Sequence, residues 1–99
     1  MSRKVKAHHI ITIVFPSRPP LRPVDRIRLF DVPVGRVLEK NNLGSIVGAR
    51  TGVISCDIDI GVPEGKFDTA ILALNKKLRK LGCPEGTILI SGAWSKKVS

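Results

Sequence analysis

The sequence predicts a single α+β domain in which a four-stranded antiparallel sheet carries two helices on one face. Three observations favour this fold class: short runs of β-branched residues, one long helical stripe of apolar residues, and an alternating order of strand and helix patterns. A chain of 99 residues has the length of one domain. Its composition, 42% hydrophobic and 25% charged, is typical of globular proteins and too apolar for intrinsic disorder.

The first element is predicted as a strand over residues 7–15. Residues 10–15 form a β-branched run that is apolar on both faces of the pleat, which is typical of a central strand. Residues 16–30 are predicted to form a proline- and arginine-rich arm on the surface. Four of the seven prolines lie within residues 16–23, and this density disfavours helix and strand pairing alike.

A short helix is predicted next, over residues 32–41. Asp31 is a suitable N-cap, and Pro33 falls in the first turn, where its missing N–H costs nothing. Val34, Val37 and Leu38 then share one helical face. The Asn and Gly residues within 41–44 tolerate the left-handed backbone that ends a helix.

A β-hairpin is predicted over residues 45–50 and 53–60, with Thr51 and Gly52 at the turn. In its second strand the side chains alternate between an apolar core face and a polar outer face. The core face carries Ile54, Cys56, Ile58 and Ile60, and the outer face carries Ser55, Asp57 and Asp59.

The second helix has the clearest pattern in the chain. Its apolar residues are spaced four, three, four and three apart and form one stripe, which consists of Phe67, Ile71, Leu74, Leu78 and Leu81. Gly82 ends the helix. A last strand is predicted over residues 87–91, and residues 92–99 are predicted to be a loosely ordered tail.

The resulting order, βαββαβ, is that of the ferredoxin-like fold. In that fold the first and third strands are central, and both helices cover the same side of the sheet. The opposite side of the sheet stays open, and Asp57 and Asp59 are expected to project from it.

The charge balance is strongly basic, with 17 Lys and Arg against eight Asp and Glu, or +9. Such an excess attracts polyanions, so nucleic-acid binding is one hypothesis. The only aromatic residues are three Phe and Trp94, too few for the base stacking that single-strand and RNA binders use. The outward carboxylates of the third strand would also repel phosphates, which favours a protein partner.

No catalytic, cofactor or metal motif is present, and the sequence predicts that the protein is not an enzyme. An antiparallel first strand would bring His8 or His9 beside Asp59, but a metal site needs three or four converging ligands. The hairpin glycines, Gly44 and Gly48 among them, lack the spacing of a phosphate-binding loop. Cys56 and Cys83 are expected to be small, unpaired hydrophobic residues.

No membrane segment is predicted, because the longest uncharged stretch, residues 7–17, is far shorter than the ~20 apolar residues of a membrane span. The basic start of the chain is not followed by a signal-peptide cleavage site. We therefore expect a cytoplasmic protein.

Three segments resemble a group of small bacterial proteins of ferredoxin-like type. These segments are residues 43–52 (LGSIVGARTG), 57–60 (DIDI) and 81–87 (LGCPEGT). The group includes immunity proteins of polymorphic and contact-dependent toxin systems. The resemblance implies a non-enzymatic protein that neutralises a cognate toxin by occluding its active site, and the basic charge of this chain implies a toxin with an acidic surface.

The residues expected to contact the partner are the arginines of the arm and hairpin, with two aspartates as a second patch. They are Arg18, Arg22, Arg26, Arg28, Arg50, Asp57 and Asp59. No cofactor is expected. Nucleic acid bound by the basic arm remains the alternative partner.

Overall fold

The computed structural model describes residues 7–17 and 21–98, with side chains from His9 onward. It is an α+β structure built on a five-stranded antiparallel sheet with strand order β2-β3-β1-β4-β5. The strands are β1 (Ala7–Pro16), β2 (Ser45–Thr51), β3 (Ser55–Pro63), β4 (Ile88–Ser91) and β5 (Trp94–Lys97). The prediction of four strands is one too few, because residues 94–97, predicted as a loose tail, pair with β4.

The centre of the sheet is β1, which pairs with β3 on one side and β4 on the other. The register sets Ile13 opposite both Ile58 and Leu89, and all three side chains are buried. The predicted core face of β3 is therefore confirmed for Cys56, Ile58 and Ile60. Ile54 is different: it is exposed and precedes β3, because the chain is still turning there and Gly52 N–H donates to Ser55 C=O.

The second helix, α2 (Phe67–Leu81), confirms the predicted stripe, since Ile71, Leu74 and Leu78 are buried. Gly82 ends it in the left-handed conformation, with φ of +71°, which a residue without a side chain adopts at little cost. These side chains belong to the same hydrophobic core as the buried residues of the sheet.

The first helix, α1, is longer than predicted. It runs without interruption through three segments, Pro23–Arg26, a π-helical turn Ile27–Asp31, and Val32–Lys40. The expected extended arm is therefore wrong for residues 23–30, which are helical. Pro23 stands at the first position of the helix, where proline is favoured, and Asp25 in the first turn suits the helix dipole.

The π turn explains how α1 buries its inner face. The buried residues are Arg26, Phe30, Val34 and Leu38, each four positions from the next. In a regular α-helix this spacing drifts around the axis, but a wider turn with i→i+5 bonding keeps the residues aligned. Val32 N–H accordingly donates to Ile27 C=O, and Pro33, which has no N–H, requires no partner at Leu29.

One close approach fixes the entry into β2. Gly44 adopts a φ of +122°, and a Cβ at this position would overlap the carbonyl oxygen of Gly61. Only glycine fits here.

Among the described helices, none is long and apolar enough to cross a membrane.

Candidate partner-binding surface

The side of the sheet opposite the helices, here called the open face, is formed by the residues that alternate with the core positions. Thr12 and Val14 of β1 alternate with Ile11, Ile13 and Phe15, which are fully buried. On β3 the same alternation places Asp57 and Asp59 on the open face, as predicted. The open face is thus defined by sheet register rather than by a loop or cleft.

Two rows of side chains cross the open face from edge to edge. The pairing registers of the five strands give the first row as Arg50, Asp57, Val14, Ile88 and Lys97. They give the second row as Gly48, Asp59, Thr12, Ile90 and Ser95. The first row is charged at its margins and apolar at Val14 and Ile88, and the second row is apolar only at Ile90.

The β2–β3 margin carries an ion pair. Arg50 donates from Nη2 to Asp57 Oδ2 at 2.9 Å and from Nε to the same oxygen at 3.1 Å. The hydrogen bond to Asp57 is the main cause that raises the pKa of Arg50, and the charges of Asp57 and then Asp59 add to it. Arginine is charged in proteins in any case, and most of the Arg50 side chain remains exposed.

Asp59 is oriented by its neighbours in the second row. Thr12 Oγ1 donates a hydrogen bond of 2.7 Å to Asp59 Oδ1. On the other side stands Gly48, whose missing side chain leaves room, since a Cβ there would lie 3.4 Å from Asp59 Oδ2. The carboxylate of Asp59 is thereby held in one position next to the apolar centre.

The centre of the open face is apolar. Val14, Ile88 and Ile90 are only half-buried, and Ile10 at the end of the patch is 46% exposed. Neither helix covers these side chains, because both helices pack on the other side of the sheet. An apolar centre with charged margins is the usual composition of a protein–protein interface.

These apolar residues were not predicted as part of the site. The signal for them was present in β1, which is apolar on both faces although only one face of the sheet was expected to be covered. Because β1 is apolar on both faces, its outward side chains must contact water on the open face.

Two of the predicted arginines lie at the start of α1, Arg22 as the residue before its first turn and Arg28 within the π turn. Arg22 and Arg28 are exposed, and both approach Asp25, at 2.9 Å and 3.7 Å respectively. The hydrogen bond from Arg22 is the main cause that holds the pKa of Asp25 below its ordinary value. Arg18 lies outside the described residues.

Arg26 has a different role from the one predicted. It is 7% exposed, and its guanidinium donates to both carboxylate oxygens of Asp31 and to Thr51 Oγ1. These bonds join α1 to the end of β2, so the side chain is not accessible to a partner in the folded chain. The sequence signal for this pairing was Asp31, an acidic residue five positions after Arg26. The π turn brings Asp31 within hydrogen-bonding distance of Arg26.

The expected pairing of a histidine with Asp59 is wrong. Thr12, not His8 or His9, stands opposite Asp59. His9 lies on the helix side of the sheet, where its ring packs edge-on against that of Phe67 with 5.2 Å between the centroids. The ring of Phe67 also packs edge-on against Trp94, with 5.3 Å between the centroids. Within residues 7–17 and 21–98, no group of three or more potential metal ligands converges.

The outer strand of the hairpin, β2, lies at one edge of the sheet, as the predicted central position of the first and third strands implies. Its pairing with β3 shifts between Ile46 and Gly48, which forms a bulge and leaves Val47 exposed.

Comparison of the chain with protein-family models, curated proteins and solved structures found no match.

Proposed function

We propose that this chain is a cytoplasmic, non-enzymatic protein-binding module, and specifically an immunity protein that neutralises a cognate toxin by covering its active site. The proposal assigns the partner to the open face. It treats the βαββαβ part of the chain as ferredoxin-like, with β5 as an added edge strand. The observation that carries it is the uncovered apolar centre between the Arg50–Asp57 pair and Lys97.

Affinity and orientation would come from different parts of this face. Burial of Ile10, Val14 and the two β4 isoleucines supplies a hydrophobic term of about 25 cal/mol per Å² removed from water. The charged margins set register and increase the encounter rate. Lys97 and Arg50 suit a toxin whose active site is surrounded by carboxylates.

The hydrogen-bonded aspartates add specificity. Asp57 is already paired with Arg50, and Asp59 with Thr12, so each group is fixed before the partner arrives. A partner that presents a cation beside Asp59 gains a preorganised acceptor. A phosphate backbone would instead meet two carboxylates, and the open face is therefore not assigned to nucleic acid.

The experiment uses the product of the neighbouring reading frame, where the proposal expects the cognate toxin to be encoded. Binding is measured by calorimetry for the unchanged chain and for Ile10→Glu, which introduces a charge at the end of the apolar patch. We expect the affinity to fall at least about tenfold, or about 1.4 kcal/mol. Protection of cells that produce the toxin should be lost in parallel.

The matched control is Leu72→Glu, which makes the same change at a residue of α2 that is 67% exposed and remote from the open face. It should bind as tightly as the unchanged chain. Absence of any complex with the neighbouring product would refute the immunity assignment. A complex that Leu72→Glu weakens and Ile10→Glu leaves intact would refute the assignment of the face.

A further inference from the structure

A groove of about 470 Å³ lies between the two helices, on the opposite side of the sheet from the open face. Its walls are the end of α1 with the following turn, and one stripe of α2. The α1 wall contributes Val37, Lys40, Asn41 and Leu43, and the α2 wall contributes Thr69, Ala73, Lys76, Lys77 and Lys80. We refer to it as the lysine groove.

The charge of the lysine groove has one sign. Four of its lining residues are lysines, and none of the lining residues in the part of the chain that the structure describes is acidic. The α2 lysines lie within about 6 Å along the helix axis, given four rises of 1.5 Å from Lys76 to Lys80, and Lys40 stands on the α1 wall. Four cations are thus grouped on the two walls of one groove, which suits a ligand with repeated negative charges rather than a single anion.

The apolar part of the groove is too small to hold a protein helix. Leu43 is only 1% exposed, and Val37 and Ala73 are partly buried. Helix-in-groove binding depends on large apolar anchors entering a hydrophobic floor. Here, little apolar area is left to bury, and the charged rim must supply the attraction.

The residue types suit a phosphate backbone. Lysine binds phosphate oxygens as a mobile point charge, without the planar fork by which arginine makes two parallel bonds to a carboxylate or phosphate. No aromatic residue is among the lining residues that the structure describes, so unpaired bases find nothing to stack on. These features match contacts to the backbone of a duplex, which need no access to the bases.

We propose that the lysine groove binds the phosphate backbone of double-stranded nucleic acid without reading its sequence. The site is separate from the open face and does not depend on the toxin-binding proposal. Lys40, Lys76 and Lys80 make the principal contacts, because each is exposed at the rim.

The test measures binding of a labelled duplex of about 20 base pairs by fluorescence anisotropy, from about 50 to about 200 mM salt. The unchanged chain should bind, with log K falling linearly against log salt. Replacing Lys40, Lys76 and Lys80 together by Gln should reduce the magnitude of that slope by about 2.7, at about 0.9 per lost phosphate contact.

The matched control removes three exposed cations outside the groove, by Arg36→Gln, Lys66→Gln and Lys96→Gln. Net charge falls equally, so the control separates a defined site from the general field of a basic protein. Its slope should stay within about one unit of the unchanged chain. Equal slopes for the two triple variants would overturn the proposal, as would an absence of duplex binding.

A second measurement uses the unchanged chain and needs no variant to fold. Adding the duplex should shift the amide resonances of residues 37–43 and 69–80 in heteronuclear NMR spectra. Shifts confined to other residues would overturn the proposal. An oligoglutamate peptide of the same total charge and unlabelled duplex are then used as competitors of the labelled duplex. Displacement by the peptide at a lower concentration than by the unlabelled duplex would assign the groove to an acidic protein instead.

Discussion

Arg26 shows how a single side chain can have a different role from its neighbours of the same type. It belongs to a stretch of arginines, yet it is buried and makes three hydrogen bonds, two to Asp31 and one to Thr51. Those bonds compensate the loss of water around the charge. The sequence alone groups Arg26 with Arg22 and Arg28, because composition does not reveal which charge faces inward.

Asp31→Ala should therefore destabilise the protein strongly. Among the described residues it leaves the buried Arg26 cation with Thr51 as its remaining partner, and breaking a buried pair costs about 3–5 kcal/mol. The control, Asp25→Ala, removes the partner of the exposed Arg22 and should cost less than about 1 kcal/mol. Urea denaturation measures both, and equal losses would contradict the structural role of Arg26.

Asp25 also has a testable titration. Arg22 lowers the pKa of Asp25 in the folded state, so the pair contributes stability above the unfolded pKa and loses it as the pH falls through the folded value. The carboxyl carbon resonance of Asp25 should titrate below the ordinary value of 3.8. In Arg22→Gln the midpoint should rise, and an unchanged midpoint would exclude the hydrogen bond as the cause.

The two helices differ in how far their sequences predict them. In α2, regular spacing of apolar residues coincides with the period of an α-helix, and the stripe from Ile71 to Leu78 is buried as predicted. In α1, the inner face begins with an arginine and continues through a π turn. The alignment of this inner face depends on tertiary contacts with β2 and the core, which a local sequence pattern does not reveal.

Phe30 tests the revised position of α1. The centroid of its ring lies 4.5 Å from that of Phe15 in the core. Phe30→Ala should therefore lower the free energy of unfolding by about 3–5 kcal/mol. Leu29→Ala, one residue earlier but exposed, should cost less than about 1 kcal/mol. Both are measured by thermal or urea unfolding. Similar small losses would mean that this segment is an unpacked arm after all.

The fifth strand was not predictable, because all four residues of β5 are exposed and show no alternation. It forms through pairing with β4 and through contact of Trp94 with Phe67. Removal of residues 93–99 should lower the melting temperature and uncover the backbone groups of β4. Size-exclusion chromatography with light scattering should then detect self-association. A monomer of unchanged melting temperature would show that β5 contributes nothing.

At the scale of the whole molecule, the sheet separates two surfaces with opposite chemistry. The open face has an apolar centre and charges of both signs, and the lysine groove on the helix side has cations alone. The register of β3 made Asp57 and Asp59 predictable as parts of the first surface. The groove was only partly predictable, because Lys40 joins the α2 lysines through helix packing.

The two surfaces should act independently. Ile10→Glu should weaken the toxin complex and leave the salt slope of duplex binding unchanged, and the groove triple variant should do the reverse. Mutations that share no partner usually add in free energy. A combined variant measured in both assays checks this, and coupling above about 0.5 kcal/mol would indicate one composite site.

The bulge at Val47 limits how the β2 edge can be extended. A neighbouring strand that approaches this edge finds regular main-chain donors and acceptors only on one side of the kink, so continuous ladder growth stops after a few residues. Two copies of the chain are thereby hindered from joining their sheets end to end. Concentrated preparations should resist fibre formation, and straightening this kink would remove that protection.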